Sequence, residues 1–391
     1  MAFISNENQP QNGFNKFLKR DISAPFLILS FLLISFLSGT LGGLIVNNYY
    51  QAEEISAQQQ ISRQNLPKVS TKEVESKQLN QSLAGSTVGI YLTKIAGPDL
   101  LNNSYSPLDL KGSGLILTND GWITTSRKVI EAAQPNKYTV ITQDSYTFPL
   151  DKIVLDNATD IVFAKIKSEA KIENLPTVLF ADSSELQVGD DFFSFGSSGR
   201  IATGKTLNSI DYYFDSRDQF VQSTEKFSKI ILLAGKGYDN SFIGGPVFNL
   251  KGEVEGVVIN FNNNEIRILP IDYLSDKFET LFKTGEIKRN YLGINYLDLN
   301  SIYLFDKRAL NLTQGALITK NKNKVAVSKS SPAEKAGLRE NDIILAVEKE
   351  SLAPFYNLTE LIQQYKEGSE VTLKVKRQDK IIDIIVKLET R

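Results

Sequence analysis

Apolar positions along the chain follow different rules in different stretches. From Ile22 to Asn48 they run almost unbroken and no charge interrupts them. From about Leu83 short runs rich in Val, Ile, Tyr and Thr alternate with Gly, Asn and Asp turns. That is the signature of half-buried strands joined by tight connections. Strands are expected at Thr87–Leu92, Ser113–Leu117, Trp122–Thr125, Tyr138–Thr142 and Ile161–Ile166, then from Asp191–Phe195 through Val254–Phe261. About 190 residues of this pattern suit two small barrels better than one. A short helix is expected at Ile271–Leu281.

Ile287–Arg391 mixes the two periods. Ser331-Pro332-Ala333-Glu334 is a capping box with Pro at the first helical position. Asn357 followed by Glu360 marks a second helix start, which sets Leu358, Leu361, Ile362 and Tyr365 on one face. Val371–Lys376 and Ile381–Leu388 read as a hairpin across Gln378-Asp379.

The apolar core of the first stretch, Pro25 to Val46, would reach ~33 Å as a helix, enough to span a bilayer. Lys16, Lys19 and Arg20 precede it, and Glu53 and Glu54 follow. The positive-inside rule puts the N-terminus in the cytoplasm and the body outside it, in the periplasm or at the cell surface. The run is long for a signal peptide and lacks an A-x-A-like cleavage site, which favours an uncleaved anchor. Between it and the strands, the segment rich in Gln, Glu, Lys and Ser reads as a stalk.

Composition narrows the chemistry. Lys+Arg is 44 against Asp+Glu 45, so the basic excess of a nucleic-acid binder is missing. There are no cysteines and no histidines. Disulfides, thiolate nucleophiles, imidazole bases and Cys- or His-ligated zinc are excluded. No metal or cofactor is expected.

Motifs in residues 84–391 resemble the HtrA (Deg) family, trypsin-like serine proteases with a C-terminal PDZ domain. Gly112-Ser113-Gly114-Leu115-Ile116 and Asp120-Gly121-Trp122-Ile123-Thr124-Thr125 resemble the hairpin that leads to the family's catalytic histidine. Lys128, before Val129-Ile130, stands where that histidine falls. Asp160 matches the triad aspartate. Anchored on Gly244-Gly245-Pro246, the nucleophile position holds Ile243. Tyr291-Leu292-Gly293-Ile294 resembles the carboxylate-binding loop of PDZ domains, in which a Gly-containing turn points successive N–H groups at one spot. A peptide would then add as a strand beside Ile294–Leu297, opposite the helix at Leu358–Tyr365, with Lys288 and Arg289 as nearby positive charge.

The resemblance implies a mainly β fold: a chymotrypsin/trypsin-like double β-barrel followed by a PDZ-like α+β domain and preceded by one transmembrane helix. The expected parts are a cytoplasmic N-terminus (1–21), the transmembrane helix (22–48), a polar stalk (49–82), the double barrel (83–282) and the PDZ domain (284–391). With base and nucleophile positions replaced, the body is expected not to cut peptide bonds. Lys128 is expected to pair with Asp160. The implied role is binding of peptides, C-termini or unfolded extracytoplasmic proteins, as chaperone, adaptor or regulatory subunit. A homotrimer or an assembly with an active relative is implied too. Two alternatives stay open: an endopeptidase using Ser241 with Lys128 as base, and a structural scaffold whose PDZ groove is closed.

Overall fold

The computed structural model describes residues 83–391 apart from 96, 101–102, 168–174, 198, 215, 263–264, 302–313 and 353–355. The expected anchor (22–48) and stalk (49–82) lie outside the described residues. Among the described residues no helix is long and apolar enough to cross a membrane.

Six strands form the first barrel: β1 (Thr87–Leu92), β2 (Leu110–Ile116), β3 (Trp122–Ser126), β4 (Tyr138–Ile141), β5 (Thr147–Asp156) and β6 (Ile161–Ile166). It closes in the order β1-β2-β3-β6-β5-β4, which leaves no free edge. Alternation along these strands sends Val88, Ile90, Ile116, Ile123, Val140 and Val162 inward. Each such side chain contributes roughly 1.5–3 kcal/mol by leaving water.

The second sheet contains β7 (Leu179–Phe180), β8 (Asp191–Phe195), β9 (Ile201–Tyr212), β11 (Lys229–Lys236), β12 (Pro246–Asn249), β13 (Glu253–Asn262) and β14 (Glu265–Pro270). Its order is β12-β8-β9-β11-β14-β13-β7, and a further β12–β13 pairing closes it into a barrel. Between β9 and β11, strand β10 (Val221–Ser223) leaves this sheet for another.

The helix expected over Ile271–Leu281 is two helices, α1 (Asp272–Ser275) and α2 (Phe278–Thr284). The break falls at Asp276, whose carboxylate is drawn to Arg289 at 3.5 Å. Gly285 ends α2 in the left-handed conformation, φ 69°.

The C-terminal unit holds β15 (Asn290–Tyr291), β16 (Asn295–Asp298), β17 (Ala316–Ile318), α3 (Pro332–Lys335), β18 (Ile343–Val347), β19 (Glu350–Ser351), α4 (Leu358–Gln364), β20 (Glu370–Arg377), β21 (Lys380–Lys387) and β22 (Glu389–Thr390). Both expected caps are present: Ser331 accepts from the Glu334 amide, and Asn357 and Glu360 form a reciprocal capping box. The hairpin turns at Gln378, φ 54°. Leu358, Leu361 and Ile362 of α4 pack on Ile294, Tyr296 and Val371 of the sheet.

This unit is fastened to the barrels by buried charge. Arg289 Nη2 lies 2.6 Å from Asp156 Oδ2 at the end of β5 and donates to the Tyr273 carbonyl at 2.6 Å. Lys229 Nζ meets Glu360 Oε2 at 3.0 Å, with side-chain exposures of 2% and 8%. A buried ion that loses its partner costs about 3–5 kcal/mol, so the two sides do not part easily.

Candidate functional site

Two places gather the residues singled out in the sequence. The first is the cleft region of the barrels. The turn after β3 is tied to the β5–β6 turn because the Arg127 amide donates to the Asp160 carbonyl at 3.0 Å. Lys128 and Asp160 therefore line one cavity of about 770 Å3, together with Ser126, Tyr213, Gln222 and Lys226. Asp160 adopts φ 58°, a left-handed conformation that Asp tolerates better than most residues. Its carboxylate is engaged by Lys226 Nζ at 2.6 Å. Lys226, which no motif marked, is thus a cationic partner of Asp160 beside the Lys128 expected from the sequence.

Ile243 is not in that cavity's lining. Its side chain packs against the first-barrel core, and its carbonyl accepts from the Ser113 amide at 2.8 Å. Two residues upstream, Asn240–Phe242 form a single 3-10 turn capped by Asp239. Asp239 Oδ1 accepts both the Ser241 amide, at 2.9 Å, and the Ser241 hydroxyl. Its other oxygen meets the Arg200 guanidinium. Burial works to raise the Asp239 pKa, but the bonds from Ser241 and Arg200 outweigh it and hold the pKa below the ordinary value. At neutral pH the carboxylate is ionised and orients the Ser241 proton toward itself. Gly196 packs against this hydroxyl: a Cβ there would lie 3.1 Å from Ser241 Oγ. Ser241 carried a weak sequence signal, and Asp239 could have been read as its N-cap from the Asp239-Asn240-Ser241 pattern.

The amides of this loop are all engaged. Phe242 N donates to Asp239 O, Ile243 N to Asn240 O, Gly244 N to Val258 O and Gly245 N to Phe242 O, at 2.7–3.2 Å. No amide from 241 to 245 is left to stabilise an oxyanion in this conformation.

The second place is the loop Tyr291–Ile294. Gly293 takes φ 86°, where a Cβ would meet Ser331 Cβ at 2.4 Å. The turn aims the Leu292 and Gly293 amides at one point, and a carboxylate occupies it. Glu225 Oε1 accepts from them at 3.2 and 2.8 Å. Ile294 begins the groove wall and bridges to Val327. Tyr291 belongs to β15, with the Arg391 guanidinium stacked 3.5 Å from its ring centre. Arg289 is placed differently from the sequence expectation. Its guanidinium is buried against Asp156 and Asp276, so its charge is spent holding the unit in place.

Comparison with known proteins follows this division of the chain. A model of the trypsin-like peptidase domain matches residues 112–257, and one of the PDZ domain matches 291–388. The chain is 32% identical over 287 residues to a probable periplasmic serine endoprotease, DegP-like, of Chlamydia muridarum, covering 71% of this chain and 53% of that protein. It is 30% identical over 301 residues to a protein of the same description from Marinomonas sp., covering 72% and 57%. The chain spans about half the length of the curated relatives it matches. Among solved structures, an HtrA-type protease AlgW with tripeptide superimposes with TM-score 0.60 at 16% identity, covering 81% of this chain and 97% of that one. The serine endoprotease from Yersinia pestis gives 0.53 at 20%, with the same coverage. At such identities the likeness establishes the fold.

These relatives correct the expectation that the chain is no enzyme, since they are named serine endoproteases. That expectation rested on Lys128 and Ile243 at the triad positions, and weighed Ser241 only with Lys128 as its base. It left out the hydroxyl–carboxylate pair of Ser241 and Asp239.

Proposed function

We propose that this chain, a homologue of the DegP/HtrA serine proteases with a trypsin-like peptidase domain followed by a PDZ domain, is an extracytoplasmic HtrA-type endopeptidase with Ser241 as its nucleophile. The observation that carries the reading is the hydrogen bond from the Ser241 hydroxyl to the ionised Asp239 carboxylate. In acylation, Ser241 Oγ bonds the scissile carbonyl carbon and its proton passes to Asp239. The protonated carboxyl then returns that proton to the leaving amine as the C–N bond breaks. Asp239 thus takes the place of Lys128 as the hydroxyl's partner. A carboxylate of depressed pKa is a weaker base than an imidazole, so turnover is slow.

The conformation described is a resting one on this reading. One loop amide must first be released from its internal acceptor to face the oxyanion. The PDZ unit binds peptides and supplies substrate selection. The uncharged run 22–48, with basic residues before it, holds the body outside the cytoplasm, in keeping with relatives named periplasmic.

The test uses the full chain in detergent. A fluorophosphonate probe should label it, an unfolded protein substrate should be cut, and Ser241→Ala should abolish both. Labelling that survives in Ser241→Ala removes Ser241 from the role. No cleavage by wild type, with or without added C-terminal peptides, overturns the endopeptidase reading.

A further inference from the structure

The PDZ groove is already filled, and the occupant belongs to the peptidase domain. Strand β10 lies antiparallel on β16, pairing Val221 with Leu297, Gln222 with Tyr296 and Ser223 with Asn295. This is the position and direction in which a peptide adds to the sheet edge. The chain continues along the groove. Thr224 N donates to the Ile294 carbonyl at 3.3 Å, and the Glu225 carboxylate then drops onto the Leu292 and Gly293 amides.

The α4 wall grips the same segment. Thr359 Oγ1 donates to the Ser223 carbonyl at 3.0 Å and Gln363 Nε2 to the Thr224 carbonyl at 3.1 Å. Tyr296 OH reaches Gln222 Oε1 at 3.1 Å. Gln222 and Thr224 are 3% and 0% exposed.

In a free C-terminus the carboxylate would be the main chain's own. Here the chain runs on to Lys226, so a side chain has to supply the anion. The seat is imperfect: among the described residues, buried Gln222 Nε2 has no hydrogen-bond partner. A buried donor left unpaired weakens a bound strand and makes it displaceable.

We infer that Val221–Glu225 is a tethered ligand closing the groove, and that the groove takes extended chains with a free C-terminal carboxylate preceded by small polar residues. The polar preference follows from the groups that meet side chains of the seated strand, the Tyr296 hydroxyl on Gln222 and the Ile294 amide on Thr224, while Thr359 and Gln363 hold main-chain carbonyls and fix the extended course. An incoming C-terminus has to displace the internal strand. Doing so also draws Lys226, the next residue, off Asp160 in the barrel cavity. The inference rests on the peptide-binding half of the function proposed above and not on Ser241.

The probe is the chain's own Phe-Val-Gln-Ser-Thr sequence (residues 220–224) as a labelled peptide, with a free or an amidated C-terminus. Its binding is measured by fluorescence anisotropy to the full chain. Glu225→Ala should bind the free acid at least tenfold more tightly than wild type, and the amide should bind at least tenfold more weakly than the acid. A second variant, Ser223→Cys with Asn295→Cys, joins the paired strands when oxidised. It should lose binding when oxidised and regain it on reduction. Equal affinity of wild type and Glu225→Ala, binding of acid and amide alike, or binding to the oxidised pair would each overturn the proposal. So would absence of binding to every form. Serine labelling is read separately, so failure here and failure of the Ser241 assignment are told apart.

Discussion

The loop at Asp239–Pro246 and the loop at Tyr291–Ile294 both bend backbone N–H groups around a left-handed glycine, and they are closed in opposite ways. In the first, the acceptors are the loop's own carbonyls, the Val258 carbonyl in the adjoining strand, and Asp239, which caps the turn it begins. In the second, two amides donate to a carboxylate from a segment 67 residues away in sequence, Glu225 to Leu292. Local closure is fast to form and costs little loop entropy to restore. Non-local closure depends on the domains being held together, and any equivalent anion can compete with it. On the readings proposed above, the peptidase loop opens by rearrangement of its own turn, and the PDZ loop by exchange of ligand.

The comparison breaks most visibly where the second closure is anchored. Arg289, two residues before Tyr291, ties the loop to the first barrel through Asp156, whose side chain is 1% exposed. Arg289→Leu leaves that carboxylate buried with its cation gone. Urea unfolding should show a loss of about 3–5 kcal/mol. A loss under ~1 kcal/mol would mean that the seam does not hold the second loop, and that its closure is as local as the first.

Both loops need their glycine, with different consequences. Gly293→Ala forces a φ of 86° on an L side chain and sets its Cβ 2.4 Å from Ser331 Cβ. The expected cost is roughly 2 kcal/mol. The turn would reopen, and peptide binding should fall while serine labelling is kept. Gly244→Ala meets Thr125 Oγ1 at 2.1 Å and the Ser113 carbonyl at 2.3 Å, so it should cost at least as much and remove labelling while peptide binding survives. If either variant lost both functions with its fold intact, the loops would not be independent devices.

Much of this architecture was legible in the sequence because it is local. Alternation located β1, β6 and β8 to the residue, and Ser331 and Asn357 announced α3 and α4 through side chains that cap their own helices. Gly293 was legible since only a turn with positive φ asks for glycine there. The closure of the groove was not. Val221–Ser223 reads as any short polar strand, and nothing within a few residues says that its edge partner is β16. Arg289 looked like groove charge because its sequence neighbours form the groove. Its true partner, Asp156, is 133 residues away. Asp160 shows the same limit: its identity was clear, but a cation that meets it, Lys226, comes from the residue that follows the groove segment.

The smallest expected effect tests the first closure by pH. Asp239 caps its turn most strongly while ionised, and its pKa is held below the ordinary 3.8 by bonds from Ser241 and Arg200 that outweigh burial. A carboxyl depressed on folding contributes stability fully above its unfolded pKa and loses it as pH falls through the folded value. Wild type should thus exceed Asp239→Ala by about 1 kcal/mol, the worth of a good N-cap, at every pH from 8 down to about 4. The gap should narrow only in stronger acid. Thermal melts of the two proteins across that range read it directly. A gap that closes near neutral pH would mean that Asp239 is not ionised in the folded protein. The first loop would then be held by its backbone alone, and the proton acceptor proposed for Ser241 would be lost with it.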